Sequence, residues 1–130
     1  MKNKYLLDAS ALLALLQNEP GAKIVAQRLP SSAISTVNLA EVASVLNKAG
    51  MPENDIDALF RDMDLATLDY EQKAAIATGG IRTMTAKGGL SLGDRACLIS
   101  AKQHKRIALT ADRAWLDFQE SISVEVEAIR

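Results

Sequence analysis

Four acidic side chains, Asp8, Glu41, Asp94 and Asp112, sit at positions where a fold delivers side chains to a ligand. Asp8 closes the apolar run Tyr5-Leu-Leu7. Glu41 follows Asn38 by three residues, Asp94 follows Ser91 by three, and Asp112 lies two residues past Thr110. If such carboxylates converge, two of them ~4 Å apart repel by about 4 kcal/mol at an effective dielectric of roughly 20. A cation among them removes that repulsion, and a set of oxygen-only ligands suits Mg²⁺ or Mn²⁺. The matching chemistry is metal-assisted hydrolysis, in which a bound ion activates water and stabilises a leaving oxygen. No cluster of histidine and cysteine competes for a softer metal. His104 stands near Lys102, Lys105 and Arg106 at an expected helix C-terminus, where the helix dipole favours a cation on the surface.

Each acid also has a plain structural explanation. Asn38-x-x-Glu41 and Ser91-x-x-Asp94 have the spacing of a capping box. Asp112 can cap a helix before Ala114-Trp115, and Asp8 can close a turn. For any one acid alone the cap is the better account; four together are harder to dismiss.

The elements that must position these acids follow from periodicity and breaker residues. Short strands are expected at Lys4–Asp8, Ala33–Val37, Leu65–Leu68, Arg106–Thr110 and Ser123–Ala128. Helices are expected from a Ser10 cap to Leu16, over Ala22–Leu29, Asn38–Ala49, Pro52–Met63, Tyr70–Thr78, Ile81–Ala86, Leu92–His104 and Arg113–Phe118. Strands alternating with helices imply an α/β fold, a three-layer sandwich around a mostly parallel sheet, forming one domain over residues 1–130. In such a sheet ligands bind at the carboxyl ends of the strands. Asp8, Glu41 and Asp112 would then share one edge, with Glu41 and Asp94 each in the first turn of a helix.

Composition narrows the class. Hydrophobic residues make up 48% and charged residues 24%, so the chain can bury a core and is not disordered. The single cysteine, Cys97, cannot form an internal disulfide or anchor a zinc cluster, which favours a reducing, cytoplasmic setting. Met1–Lys4 is basic and an apolar stretch follows, but Asp8 interrupts it and no small-residue cleavage site comes next. The longest apolar run, Ala11–Leu16, is too short to span a bilayer, so no membrane association is expected. The net charge of −1 does not advertise nucleic acid, yet the charges are segregated. Glu53–Glu71 holds seven acids and one base, whereas Gln72–Arg113 holds eight bases and only two acids, Asp94 and Asp112.

Four segments carry a specific resemblance: Tyr5-Leu-Leu-Asp-Ala-Ser10, Ser35-Thr-Val-Asn-Leu-Ala-Glu41, Leu90-Ser-Leu-Gly-Asp-Arg-Ala-Cys97 and Leu109-Thr-Ala-Asp112. In order and spacing they resemble the successive acidic motifs of PIN-domain ribonucleases, above all the VapC toxins of bacterial type II toxin–antitoxin modules. The resemblance implies a PIN fold, Mg²⁺-dependent endoribonuclease activity with Mn²⁺ as a substitute, and inhibition by a small cognate antitoxin. It also implies a homodimer. Carried over, it makes Asp8, Glu41, Asp94 and Asp112 the catalytic metal ligands, with Ser10, Asn38 and Thr110 as polar neighbours beside substrate. Some members use another acid shortly after the last motif; Asp117 is the candidate for it here, and a solvated helix face accounts for Asp117 as well.

An RNA substrate gives the basic stretch a role. Arg82, Lys87, Arg95 and Arg113 are expected to form a phosphate-contacting rim, positioning the backbone without reading sequence. Lys73 and Lys102 read as solvated surface. The apolar helix Ala11–Leu16 and the segment Met51–Met63 are the expected faces for a protein partner, unless the first is simply buried in the sandwich. Two rivals remain. An aspartyl-phosphate enzyme is disfavoured because Asp8-Ala-Ser10 lacks a second aspartate. A PIN-like module that binds antitoxin or RNA without cutting is disfavoured by the presence of all four acids.

Overall fold

A computed structural model describes residues 4–130; the basic opening residues 1–3 lie outside the described part of the chain. Five strands form one sheet: β1 (Tyr5–Leu7), β2 (Ser32–Ser35), β3 (Ala66–Leu68), β4 (Ile107–Thr110) and β5 (Val126–Ala128). Their spatial order is β3-β2-β1-β4-β5, and every pairing is parallel. Seven α-helices accompany them: α1 (Ala9–Leu16), α2 (Ala22–Arg28), α3 (Thr36–Lys48), α4 (Glu53–Met63), α5 (Gln72–Gly80), α6 (Leu92–Gln103) and α7 (Gln119–Ile122). The expected mostly parallel sandwich is thus present, and parallel throughout.

Strand alternation divides the core into two layers. Leu6, Ala33 and Ala108 face one cluster with Cys97, Leu98, Trp115 and Ile122. Leu7, Ile34 and Leu109 face the other, with Leu12, Val25, Val42 and Ile56 from α1 to α4. Successive residues of a strand point to opposite faces, so a strand covered on both sides reads as an unbroken apolar run. Helix α6 is the most enclosed: Gly93 and Arg95–Ala101 are all buried. It packs on β1 and β4 and touches α3 and α5. The small side chains Ala33 and Ala108 on the sheet, and Ala96 and Ala101 on the helix, are compatible with that close approach.

Several boundaries move, each for a local reason. Helix α1 is capped by Asp8, not Ser10, because the Asp8 carboxylate accepts from Ala11 N at 2.8 Å. Helix α3 starts at Thr36 under a Ser35 cap, two residues before the expected start at Asn38. Pro52 is the N-cap of α4, not part of its first turn. Helix α5 runs on through Gly80, but Ile81–Thr85 forms turns where a helix was expected. There the Thr85 hydroxyl donates to the carbonyls of Ile81 and Arg82, an alternative to the helical ladder. The last strand is cut to Val126–Ala128; Ser123 adopts a positive φ of 62°, which ends α7 and delays the strand. The apolar helix α1 belongs to the core, with Ala11, Leu12 and Ala14 buried and Leu13, Leu15 and Leu16 half-buried against it. Among the described residues no helix is long and apolar enough to cross a membrane.

Candidate active site

The chain leaves β1 toward β2 and β3, then returns to β4 on the other side of β1. The switch point therefore lies between the carboxyl ends of β1 and β4, where open α/β sheets bind ligands. Asp8 stands there, only 4% exposed. Besides capping α1, its carboxylate accepts from the Ser10 hydroxyl (2.8 Å to each oxygen) and from Thr110 Oγ1 (2.6 Å). Burial pushes the Asp8 carboxyl from 3.8 up to about 6. The hydrogen bonds from Thr110, Ala11 and Ser10 oppose that rise, and the charge of Asp94 adds to it.

Ser10 and Thr110 also hold the loop after β4. Ser10 Oγ accepts from Ala111 N and Thr110 Oγ1 accepts from Asp112 N, both at 3.0 Å. The two hydroxyls thus tie Asp8 to the backbone that presents Asp112. Asp112 itself is exposed and caps the 3₁₀ turn Arg113–Phe118, its Oδ1 accepting from Ala114 N at 3.0 Å. Asp117 is exposed on the same turn.

Asp94 lies in the first turn of α6 and completes a capping box with Ser91: Ser91 N donates to Asp94 Oδ2 at 2.9 Å, and Asp94 N donates to Ser91 Oγ at 3.1 Å. Glu41 lies in the second turn of α3, because that helix starts early; it caps nothing. Its Oε1 instead accepts from Asn38 Nδ2 at 2.7 Å, and its carboxylate rests against Gly93.

Cys97 lies one turn along α6 from Asp94 and is fully buried. Burial pushes its thiol well up, and the charges of Asp8, Asp94 and Glu41 push it further. Charges on three elements thus add to the effect of burial, which disfavours the thiolate and leaves Cys97 a structural thiol. Asp112 is not among the charges felt there. Among the described residues no three Asp, Glu, His or Cys side chains stand close enough to share one ion as they are. Asp94 and Asp112 each give one oxygen to their own helix start instead.

The basic residues separate. Arg82, Lys87 and Arg113 are exposed, and Arg113 Nη1 donates to the carbonyl of Arg130 at 3.1 Å. Arg95 departs from the expected rim. It is 8% exposed, and its Nη1 donates to the carbonyl of Thr78 at 3.1 Å, in the last turn of α5. A guanidinium at a helix C-terminus meets the negative end of the dipole, which draws it inward. Sequence reasoning missed Gly93 and Cys97. The signal for Gly93 was a glycine in the first turn of a helix, which marks a close approach more often than a preference.

Asp8, Glu41 and Asp94 thus come from the N-terminal ends of three helices of a fully parallel α/β sandwich. The PIN domain pattern matches residues 5–120, and the chain belongs to the PIN domain family. Its fold is similar to that of a chain of DNA-bound VapBC from Salmonella typhimurium, 23% identical over 100% of both chains, with a TM-score of 0.73. A toxin–antitoxin complex from Klebsiella pneumoniae is similar over 98% of each chain, at 18% identity and a TM-score of 0.74. VapBC-5 from Mycobacterium tuberculosis, a member of the VapBC family of toxin–antitoxin systems, is 21% identical over 97% of this chain and 98% of its own, with a TM-score of 0.62. No curated protein matches the chain in sequence.

Proposed function

We propose that this PIN domain is a divalent-metal-dependent endoribonuclease that acts as a growth-inhibiting toxin and is restrained by a cognate antitoxin. The observation that carries the reading is Asp8, a buried carboxylate at the sheet's switch point, held there by the Ser10 and Thr110 hydroxyls. Asp8, Glu41, Asp94 and Asp112 would hold Mg²⁺, with Mn²⁺ as a substitute. The donor chemistry fits such an ion: every donor is a carboxylate oxygen, and burial together with Asp94 keeps Asp8 from ionising readily, which a cation reverses. Asp94 Oδ1 and Asp112 Oδ2 take no hydrogen bond among the described residues, so each acid keeps an oxygen to offer.

When bound, the ion supplies a Lewis acid that activates water and neutralises charge at a phosphate. The chain's own part is orientation. Ser10 and Thr110 fix the Asp8 carboxylate, Asn38 fixes Glu41, and the exposed Arg82, Lys87 and Arg113 supply phosphate contacts around the acids. Arg95 stays inside the fold and takes no part in the rim.

The toxin assignment is supported by the solved structures of similar fold that are toxin–antitoxin complexes. A groove of about 320 Å³ between α3 and α4, lined by Leu39, Ala43, Ile56 and Phe60 and bordered by Glu53 and Asp57, supplies an apolar face for the partner. A homodimer belongs to the same reading. The test is cleavage of RNA by the purified chain with Mg²⁺ and after chelation, beside the Asp94→Asn variant. Loss of cleavage in the variant and on chelation is expected; undiminished cleavage by Asp94→Asn would overturn the site. Co-expression with the neighbouring gene product tests the partner, which should co-purify and suppress cleavage.

One observation favours a second reading, a module that binds antitoxin or RNA without cutting: among the described residues no three acids stand close enough to share an ion. Metal binding by the purified chain without any RNA cleavage would select it.

A further inference from the structure

Glu41 is the one acid of the four that caps no helix; a neighbour on its own helix and the start of α6 hold it instead. Asn38, three residues earlier on α3, donates from Nδ2 to Glu41 Oε1 at 2.7 Å and to the carbonyl of Gly93 on α6 at 3.1 Å. Asn38 is 1% exposed, and its Oδ1 has no hydrogen-bond partner. Both neighbours of the amide nitrogen are acceptors, so only the NH₂ end can face them; the orientation is dictated even at the cost of an unpaired buried oxygen.

Gly93 completes the arrangement by what it lacks. A Cβ built there would stand 2.5 Å from Glu41 Cδ and Oε1, closer than any real contact. The carboxylate occupies the space that a side chain at 93 would fill. Gly93 does not have a positive φ, so backbone freedom does not explain it. A glycine in a helix is also disfavoured relative to alanine. Close approach is the remaining physical reason.

We propose that Asn38 and Gly93 are positioning residues for Glu41. The amide clips α3 to the start of α6, and the bare backbone of Gly93, the residue before Asp94, seats the carboxylate. The inference rests on the reading of Glu41 as a metal ligand. Groups that orient a ligand typically affect metal affinity about 10- to 100-fold when removed.

The test is Mn²⁺ affinity of the purified full chain, read from the free-ion signal by electron paramagnetic resonance at a temperature where circular dichroism shows native protein. Asn38→Ala and Gly93→Ala should each bind Mn²⁺ about 10- to 100-fold more weakly. Ser44→Ala, which loses only a bond to the carbonyl of Ala40 on the exposed side of α3, should bind as the parent does. Gly93→Ala adds one methyl group and raises helix propensity, so it remains readable if Asn38→Ala does not fold. In a Glu41→Gln background neither change should weaken binding further, because both act through that carboxylate. Unchanged affinity in folded Asn38→Ala and Gly93→Ala, or additive losses in the Glu41→Gln background, would overturn the positioning role and leave the ligand reading intact. A parent chain that binds no Mn²⁺ would overturn the ligand reading itself, and this inference with it.

Discussion

At its N-terminal end, α6 brings Gly93 and Asp94 to Asp8, Asn38 and Glu41; at its C-terminal end it carries Lys102, His104, Lys105 and Arg106 to the opposite edge of the same sheet. The first end is crowded with buried polar groups: Asp8, Ser35, Asn38, Arg95 and Thr110. Of polar residues the second buries only the small hydroxyl residues Ser32 and Ser100 and is otherwise surface. Lys102, His104 and Lys105 are exposed, and Arg106 is half-buried with Nη1 donating to the carbonyl of Tyr5. A cavity of about 230 Å³ opens there between Lys102, Lys105, Arg106 and Glu125, and one of about 360 Å³ lies between the start of α5 and Ser100, Gln103 and His104. Buried polar groups cost stability unless paired; Asp8, Ser35 and Thr110 are paired, while Asn38 Oδ1 and Arg95 Nε have no partner. The comparison also divides the basic residues, since a helix of 12 residues is about 18 Å long and sets Arg82 and Lys87 well apart from Lys102 and Lys105.

The sharpest way to break this contrast is to remove charge at each end. Asp8→Asn and Asp94→Asn should each lower Mg²⁺-dependent RNA cleavage by more than the roughly 100-fold that loss of an outer partner costs. Lys102→Ala combined with Lys105→Ala should leave cleavage unchanged. Rates measured on folded protein at saturating Mg²⁺ decide it, and equal losses at both ends would erase the distinction.

The pH dependence of stability comes next. Asp8 has a folded pKa of about 6 against 3.8 in the unfolded chain, so between those values the folded state holds a proton that the unfolded state has released. That contribution is fully present below 3.8 and is lost as pH rises through 6, an effect on the order of 3 kcal/mol. Urea unfolding of metal-free protein between pH 4 and 7 should show this decline. In Asp8→Asn it should flatten, with higher stability at neutral pH. The Lys102→Ala and Lys105→Ala pair should keep the parent profile.

Arg95 separates folding from binding at the acid end. Arg95→Ala loses a buried hydrogen bond to Thr78 and should lower stability by roughly 1–3 kcal/mol in thermal or urea unfolding. It should leave the salt dependence of RNA binding unchanged, unlike an arginine on the rim.

The smallest effect concerns that rim. Replacing Arg82, Lys87 and Arg113 by Ala should weaken binding for all RNA sequences and reduce the salt slope by about 0.7 per residue for a single strand. Asp8→Asn protein is the background in which to measure it. The same measurement on Lys102→Ala and Lys105→Ala should show no change in slope, and a change there would move RNA to the other end of α6.

Much of this protein was legible locally. Tyr5-Leu-Leu7 and Ala108-Leu-Thr110 read as central strands because a strand covered on both faces needs no alternation. Asp8, Asp94 and Asp112 stood out as acids at helix starts, and in the structure all three do cap their helices. The structural and the functional account of them are therefore not alternatives, since a carboxylate has two oxygens and a cap uses one. Glu41 stood out by its spacing but was misplaced by a turn, because Ser35 and Asn38 are both good caps and only the length of β2 decides between them. The inward turn of Arg95 and the seat of Glu41 on Gly93 were decided by tertiary packing alone. They join residues 78 to 95 and 41 to 93, contacts that exist only once α5 and α3 are laid against α6, and no local pattern of residue types encodes that distance.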